Sequence, residues 1–113
     1  MNLLLSDLEL TRLAVTKVMN WKIKGKFFLR SSTHPLESLL DWNPLSNWGD
    51  VGEIVEKMRS DKYAFSIVGD RDGDLAAFGK PVINHSHESK SIPRAITIAA
   101  LLAVGAITEK QAI

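Results

Sequence analysis

The segment SKSIPR, which opens the last apolar run of the chain, has the residue types that bind an anion. The run that follows is predicted to be a helix, and the free amide groups at a helix start attract negative charge. Ser89 and Ser91 add hydroxyl groups. Lys90 and Arg94 add positive charge, and a guanidinium can donate two hydrogen bonds to one phosphate or carboxylate. An anion site is one prediction; the equal alternative is that Ser91 caps the helix while Arg94 pairs with Glu88 or with an acidic residue of the second helix.

Two tryptophans on either side of an Asn-Pro turn are a second candidate for ligand binding. Indole faces stack on nucleobases, and the turn can present a side-chain amide beside them. Trp42, Asn43 and Trp48 are therefore candidate ligand-binding residues. The favoured alternative is that both tryptophans cover one end of the core, because Trp48 falls on the apolar stripe of the predicted second helix.

A local series of basic residues lies in the first half of the chain: Lys22, Lys24, Lys26 and Arg30. Such a series can follow a phosphate backbone or bind an acidic partner. The favoured interpretation is that the lysines protect an edge strand from unwanted pairing. The formal net charge is only +1, so we expect neither a nucleic-acid partner nor a membrane partner.

Sequence motifs for metal binding and catalysis are weak or missing. His85 and His87 stand two residues apart, but an isolated H-x-H pair is not a metal motif, and we predict no metal and no cofactor. The chain has no cysteine, which excludes disulfides and thiolate catalysis and suits a reducing cytoplasm. We find no nucleophile elbow, P-loop, dinucleotide fingerprint or spaced pair of catalytic carboxylates. A non-catalytic protein is therefore favoured over an enzyme.

Hydrophobic periodicity and turn signals predict the elements that position these residues. In the first half of the chain, the predicted segments are a helix over 7–20 with a Ser6–Glu9 capping box, two short strands within 21–30 separated by Gly25, and a loop over 31–45 with one helical turn at 36–40. A helix capped by Ser46 follows, and then a hairpin with strands 63–69 and 74–79 joined through Asp72 and Gly73. The last predicted segments are a loop over 81–90 and a helix from Ser91 to Gly105. One α+β domain over 1–113 follows, with three helices on a mainly antiparallel sheet of three or four strands.

The third predicted helix has almost no polar face. A helix that is apolar all round must be buried on all sides. In a chain of 113 residues, we expect a second copy to cover part of it, most simply in a two-fold dimer. The alternative is a central helix that is buried within one chain.

With the elements placed, three blocks of the sequence resemble the phage α-β-α (ABA) sandwich domain family, and they are also similar to the small NinX-type proteins of lambdoid phages. The blocks are VTKVMNWK, DWNPLSNWGDVGEIVEKMR and SIPRAITIAALLAVG. The resemblance implies a phage or prophage accessory protein with helices on both faces of a small sheet, and it assigns no biochemical role. Asn20 is a departure, since relatives tend to have glycine there.

Two hypotheses of function follow. The first is a cytoplasmic accessory protein, with counter-defence as one role, that holds a nucleotide-like, phosphate-bearing ligand or an acidic surface of a host protein. The second is a protein-interaction module without a ligand pocket that acts through oligomerisation.

Overall fold

The computed structural model describes residues 5–70, 73–80 and 85–112. Within these residues the chain forms three α-helices and six strands, together with a π-helical turn over Ala14–Val18 and a 3-10 turn over Glu109–Gln111. The helices are α1 (Asp7–Leu13), α2 (Trp48–Ser60) and α3 (Ile92–Ala103). The strands are β1 (Lys22–Lys24), β2 (Phe27–Leu29), β3 (Glu37–Ser38), β4 (Ala64–Asp70), β5 (Gly73–Gly79) and β6 (His85–Ser89).

Helix α1 starts at the predicted capping box. The Ser6 N–H donates to Glu9 Oε1 at 3.0 Å, and the Glu9 N–H donates to Ser6 Oγ at 3.1 Å. The π-helical turn ends at Val18, two residues before the predicted helix end. Asn20 then takes the left-handed conformation with φ of 58°, which asparagine tolerates better than most residues. The substitution of asparagine for glycine therefore suits the turn.

The first sheet has the order β1-β2-β3 and is antiparallel. Gly25, with φ of 62°, makes the predicted turn between β1 and β2. The prediction of a loop with a helical turn over 36–40 is wrong, because Glu37 and Ser38 pair with Phe28 and Phe27 of β2. A two-residue strand has no periodicity of its own, and its partner strand determines it.

The second sheet has the order β4-β5-β6 and contains the predicted hairpin. Asp72 of the predicted turn lies outside the described residues. The prediction of a loop over 81–90 is wrong for residues 85–89, which form β6: His85 pairs with Phe78, and His87 pairs with Ala76. Residues 81–84 are outside the described part. Mainly exposed polar side chains gave β6 no hydrophobic signal. The α+β class is confirmed, with the strands divided between two sheets.

Helix α2 begins one residue later than its predicted cap implies. Asn47 is the N-cap, and its Oδ1 accepts a hydrogen bond from the Asp50 N–H at 2.9 Å. The prediction of Ser46 as the cap is wrong, since the Ser46 hydroxyl accepts instead from Asn43 Nδ2 at 2.7 Å.

Helix α3 lies at the centre of the molecule, in contact with α2, β5 and β6. Ala95, Ile98 and Ala99 are buried, and Thr97 Oγ1 donates to the Pro44 carbonyl at 2.9 Å. The apolar character of α3 is thus explained by burial within one chain, and it is no longer a reason to expect a dimer. Gly105 ends the helix with φ of 76°. Among the described residues, no helix has the length and apolar character needed to cross a membrane.

Candidate functional site

The start of α3 uses its serines for local hydrogen bonds. Ser91 is the N-cap, and its Oγ accepts from the Arg94 N–H at 3.5 Å. Ser89 Oγ accepts from the Ser91 N–H at 3.2 Å. Lys90 is exposed. Two of the predicted anion ligands therefore stabilise the turn that leads into the helix.

Arg94 has a carboxylate partner within the chain. Its Nη1 lies 2.8 Å from Oδ1 of Asp7, the first residue of α1. The predicted alternative of a structural ion pair is therefore present, but the predicted partners, Glu88 or a residue of α2, are wrong. Partial burial, and then the positive charge of Arg94, lower the pKa of the nearby His87, while Glu88 acts in the opposite direction. Anion binding at this segment stays a prediction.

The two tryptophans of the predicted stacking platform lie in different environments. Trp42 is only 2% exposed. Its ring centroid lies 5.1 Å from that of Trp21 and 6.0 Å from that of Phe28, so it offers no free face to a base. Trp48 is 62% exposed because it is the first residue of α2, ahead of the buried stripe that begins at Val51. The core explanation holds for Trp42 and is wrong for Trp48.

Arg30 does not belong to a free basic surface. Its guanidinium lies 4.3 Å above the Trp21 ring centroid and forms ion pairs with both Glu37 and Glu53. Trp42 Nε1 donates to Glu53 Oε1 at 3.2 Å, which joins the aromatic cluster to the charged one. The hydrogen bond to Glu53 is the main cause that raises the pKa of Arg30. Arg30 is thus a structural residue.

The lysines near Arg30 remain exposed. Lys22 and Lys24 lie on β1, which is an edge strand of the first sheet, and Lys26 follows in the turn to β2. This location suits the expected role of lysines at a sheet edge.

The structure reveals a groove, not predicted from the sequence, that we call the loop groove. It consists of two adjoining cavities of about 250 and 150 Å³ that share Leu8, Leu39 and Leu40 as lining residues. The first cavity ends at Arg12 and Lys26, and the second ends at Asp7, Trp42 and Asn43.

A tight turn fixes the leucines of the loop groove. The Asp41 N–H donates to the Ser38 carbonyl at 3.0 Å, and the Leu40 N–H donates to Ser38 Oγ at 3.2 Å. Leu39 points inward and is 4% exposed, whereas Leu40 points outward and is 82% exposed. An alternation of this kind within a turn has no signal in hydrophobic periodicity, which is why the sequence did not reveal it.

The two ends of the loop groove differ in charge. Lys26 is exposed at one end, where Arg12 Nη1 donates to the Gly25 carbonyl at 3.3 Å. At the other end, Asp7 is already bound to Arg94. Trp42 and Asn43 line the second cavity, although Trp42 is almost fully buried, and Arg94 contacts the groove only through Asp7. Trp48, Ser89, Lys90 and Ser91 are not among its lining residues.

The loop groove suits binding better than catalysis. Its lining offers apolar contacts and two cationic groups, which together fit an apolar side chain next to a carboxylate. No set of three histidine, aspartate or glutamate side chains arranged to hold a metal ion occurs within residues 5–70, 73–80 and 85–112. His85 and His87 therefore remain two separate side chains of β6 in the described part.

Comparisons with known proteins agree with the architecture. A phage protein from Bacillus cereus ATCC 14579, known from its crystal structure, is similar with a TM-score of 0.73 and 15% sequence identity, over 93% of this chain and 93% of that one. At this identity the likeness shows the fold alone. No curated protein matches the chain. The family model of the phage ABA sandwich domain matches residues 12–101, which include α2, both sheets and all but the last two residues of α3. The chain therefore belongs to the phage ABA sandwich domain family.

Proposed function

We propose that this phage protein is a non-catalytic binding protein that docks onto a partner protein through the loop groove. The partner inserts an apolar side chain beside Leu8 and Leu40 and places a carboxylate near Lys26 and Arg12. This proposal develops the hypothesis of an acidic protein surface as the ligand.

The observation that carries the proposal is the exposure of Leu40. The side chain is 82% exposed on a turn that two hydrogen bonds fix, so it contributes little to the core. Leu8 is exposed beside it on α1. Clustered apolar side chains that border a cavity are typical of interaction sites, whereas scattered ones need no explanation.

Charge defines the class of partner. Lys26 is exposed, and Arg12 has further guanidinium nitrogens beyond the one that contacts Gly25. Both lie at the end of the groove farther from Asp7, which is neutralised by Arg94. An acidic residue next to an apolar one in the partner meets this arrangement, and a basic partner does not.

The nucleotide-like ligand is less well supported. Its predicted residues are divided, since Trp42 is buried, Trp48 lies outside the groove, and Arg94 has a carboxylate partner. A thermal-shift screen with nucleotides and cyclic dinucleotides tests this alternative, because a ligand at a hundred times its Kd stabilises the folded state by about 2.7 kcal/mol. Counter-defence is the form of our proposal in which the partner is a host defence protein.

A selection from a random peptide library against the intact protein tests the proposal without knowledge of the natural partner. We expect the selected peptides to share an apolar residue next to aspartate or glutamate. Their binding should be lost in Leu40→Ser and retained in Leu75→Ser, which removes an exposed leucine from the second sheet. The variant Lys26→Glu should reduce the preference for acidic peptides.

The proposal fails if the selected peptides bind Leu40→Ser and the parent protein equally well. It also fails in its charge component if Lys26→Glu selects the same acidic peptides as the parent. A peptide pool without any shared feature shows that the groove recognises no linear segment.

A further inference from the structure

Strand β4 is an open edge of the second sheet. The sheet order places it at one end, with β5 on its inner side and no strand of the described residues on its outer side. A free edge presents unpaired N–H and C=O groups to other chains, and proteins protect such edges with short strands, lysine or proline.

The other edge strands of the described part are short or carry a charged side chain inside the strand, whereas β4 carries a charged residue only at its last position, Asp70. Strand β1 has three residues, two of them lysines, β3 has two residues, and β6 contains Glu88. Strand β4 has seven residues, and from Ala64 to Gly69 it contains neither a charged residue nor a proline. Val68 on this strand is 56% exposed. The strand is therefore long and apolar, and it is exposed from Ile67 to Gly69, while Ala64 to Ser66 are half-buried.

The two ends of β4 carry opposite charges. At the start, Lys62 and Lys80 are exposed, and the Lys80 ammonium lies 5.2 Å from the Tyr63 ring centroid. At the end, Oδ1 of Asp74 lies against Gly69, 2.8 Å from the point where a Cβ atom on that glycine would stand. Among the described residues, the start of β4 is thus basic, since Asp61 is already paired with Lys57, and its end is acidic.

We propose that β4 pairs with β4 of a second copy of this chain in an antiparallel manner, which joins the two second sheets into one sheet of six strands. An antiparallel pair places the basic end of each strand beside the acidic end of the other. A two-fold axis near Ser66 also keeps corresponding faces together, so that Val68 of each copy lies opposite Ala64 of the other. Parallel pairing would place like charges together and is disfavoured.

The interface differs from the one that helix α3 suggested in the sequence. It uses an exposed strand edge and leaves the buried helix unchanged. It is also separate from the loop groove, which lies on α1 and on the turn after β3. Each test below can therefore fail without affecting the proposed binding function.

Charge placed at the symmetry centre tests the pairing. Sedimentation equilibrium of the full chain should give twice the chain mass of 12.5 kDa. In Ser66→Lys and in Ser66→Glu, like charges face each other, and we expect the dimer Kd to rise by up to roughly fivefold. An equimolar mixture of the two variants should restore dimers, because each pair then contains opposite charges.

A matched control is available on the opposite edge strand. Ser66 and Ser86 lie on either side of Ala77 on the same sheet face, so Ser86→Lys introduces the same charge away from the proposed interface. This variant should dimerise like the parent. A monomeric parent at concentrations up to about 100 μM overturns the proposal. So does a dimer that the Ser66 variants do not weaken, or a mixture that does not recover.

A cross-link gives an independent measurement that does not depend on strand stability. The chain has no cysteine, so Ser66→Cys introduces a single thiol. Opposed residues of antiparallel strands have Cα atoms about 4.5–5.5 Å apart, within the range that a disulfide spans. Under mild oxidation, Ser66→Cys should form covalent dimers faster than Ser86→Cys. Equal rates for the two variants would place the interface elsewhere.

Discussion

Adjacent leucines with opposite environments give a direct test of what Leu40 does. Leu40 is 82% exposed and Leu39 is 4% exposed on the same hydrogen-bonded turn. Since most of the Leu40 side chain is in water in the folded state, Leu40→Ser should change the free energy of unfolding by less than about 0.5 kcal/mol. Leu39→Ser removes a buried leucine and should cost at least about 2 kcal/mol, or roughly 8 °C in Tm.

Binding should show the reverse order of effects. Covering one leucine is worth about 1.5–3 kcal/mol, so Leu40→Ser should weaken the binding of a selected peptide by roughly 10- to 150-fold. Differential scanning calorimetry measures the stability of both variants, and isothermal titration measures the peptide affinity of Leu40→Ser. If Leu40→Ser lowers Tm as much as Leu39→Ser, Leu40 is covered in solution, and our reasoning from its exposure is refuted.

Three further variants test the charged groups. Glu53→Gln removes a charged acceptor from Arg30 and should lower the unfolding free energy in urea by about 1.5–3 kcal/mol; a loss under about 0.5 kcal/mol would mean that this pair is screened like a surface bridge. Arg94→Gln should change the free energy of unfolding by less than about 1 kcal/mol. The variant loses a weakly stabilising surface ion pair with Asp7, but it also removes a cation that is unfavourable in the first turn of a helix. A fall in Tm of more than about 4 °C would contradict this balance. The pKa of His87 is lower in the folded state than its ordinary value of 6.5, so protonation of this side chain favours unfolding. The contribution of neutral His87 to the unfolding free energy should therefore be fully present above pH 6.5 and should decline as the pH falls below it. Urea unfolding from about pH 8 to about pH 5 should show a smaller decline for His87→Gln, and an equal decline would exclude His87 as its source.

The sequence predicts elements well where local chemistry determines them. The Ser6–Glu9 capping box, the Gly25 turn and the hairpin of β4 and β5 are observed at the expected positions. Each depends on a side chain or a backbone conformation within a few residues, and such signals need no knowledge of the remaining fold. The resemblance to the phage ABA sandwich domain family is also confirmed.

Features determined by distant partners could not be predicted in the same way. Strand β6 forms because β5 provides a partner, although its own residues are mainly polar and exposed. Arg30 meets Glu37 and Glu53 from two other elements, and nothing in the spacing of the sequence indicates that convergence. Trp48 shows a related error, since helical periodicity alone does not locate the first residue of a helix.

The loop groove likewise combines residues that the sequence indicates with residues that it does not. The sequence indicates Trp42 and Asn43 as candidate ligand-binding residues, and they do line the groove, but its exposed apolar residues are leucines of a turn and of α1. Their joint exposure depends on how α1 packs beside the turn after β3, which is a property of the tertiary structure.

The most direct test of the proposed function is the location of a selected peptide on the protein. Amide chemical shifts in a two-dimensional ¹⁵N NMR spectrum, followed during titration with such a peptide, report the contact residues one by one. We predict that the largest changes occur at Leu8, Lys26 and Leu40, with little change at Leu75 of the second sheet. Changes centred on Ser91 and Arg94, or on β4 and β5, with an unchanged loop groove would contradict the account.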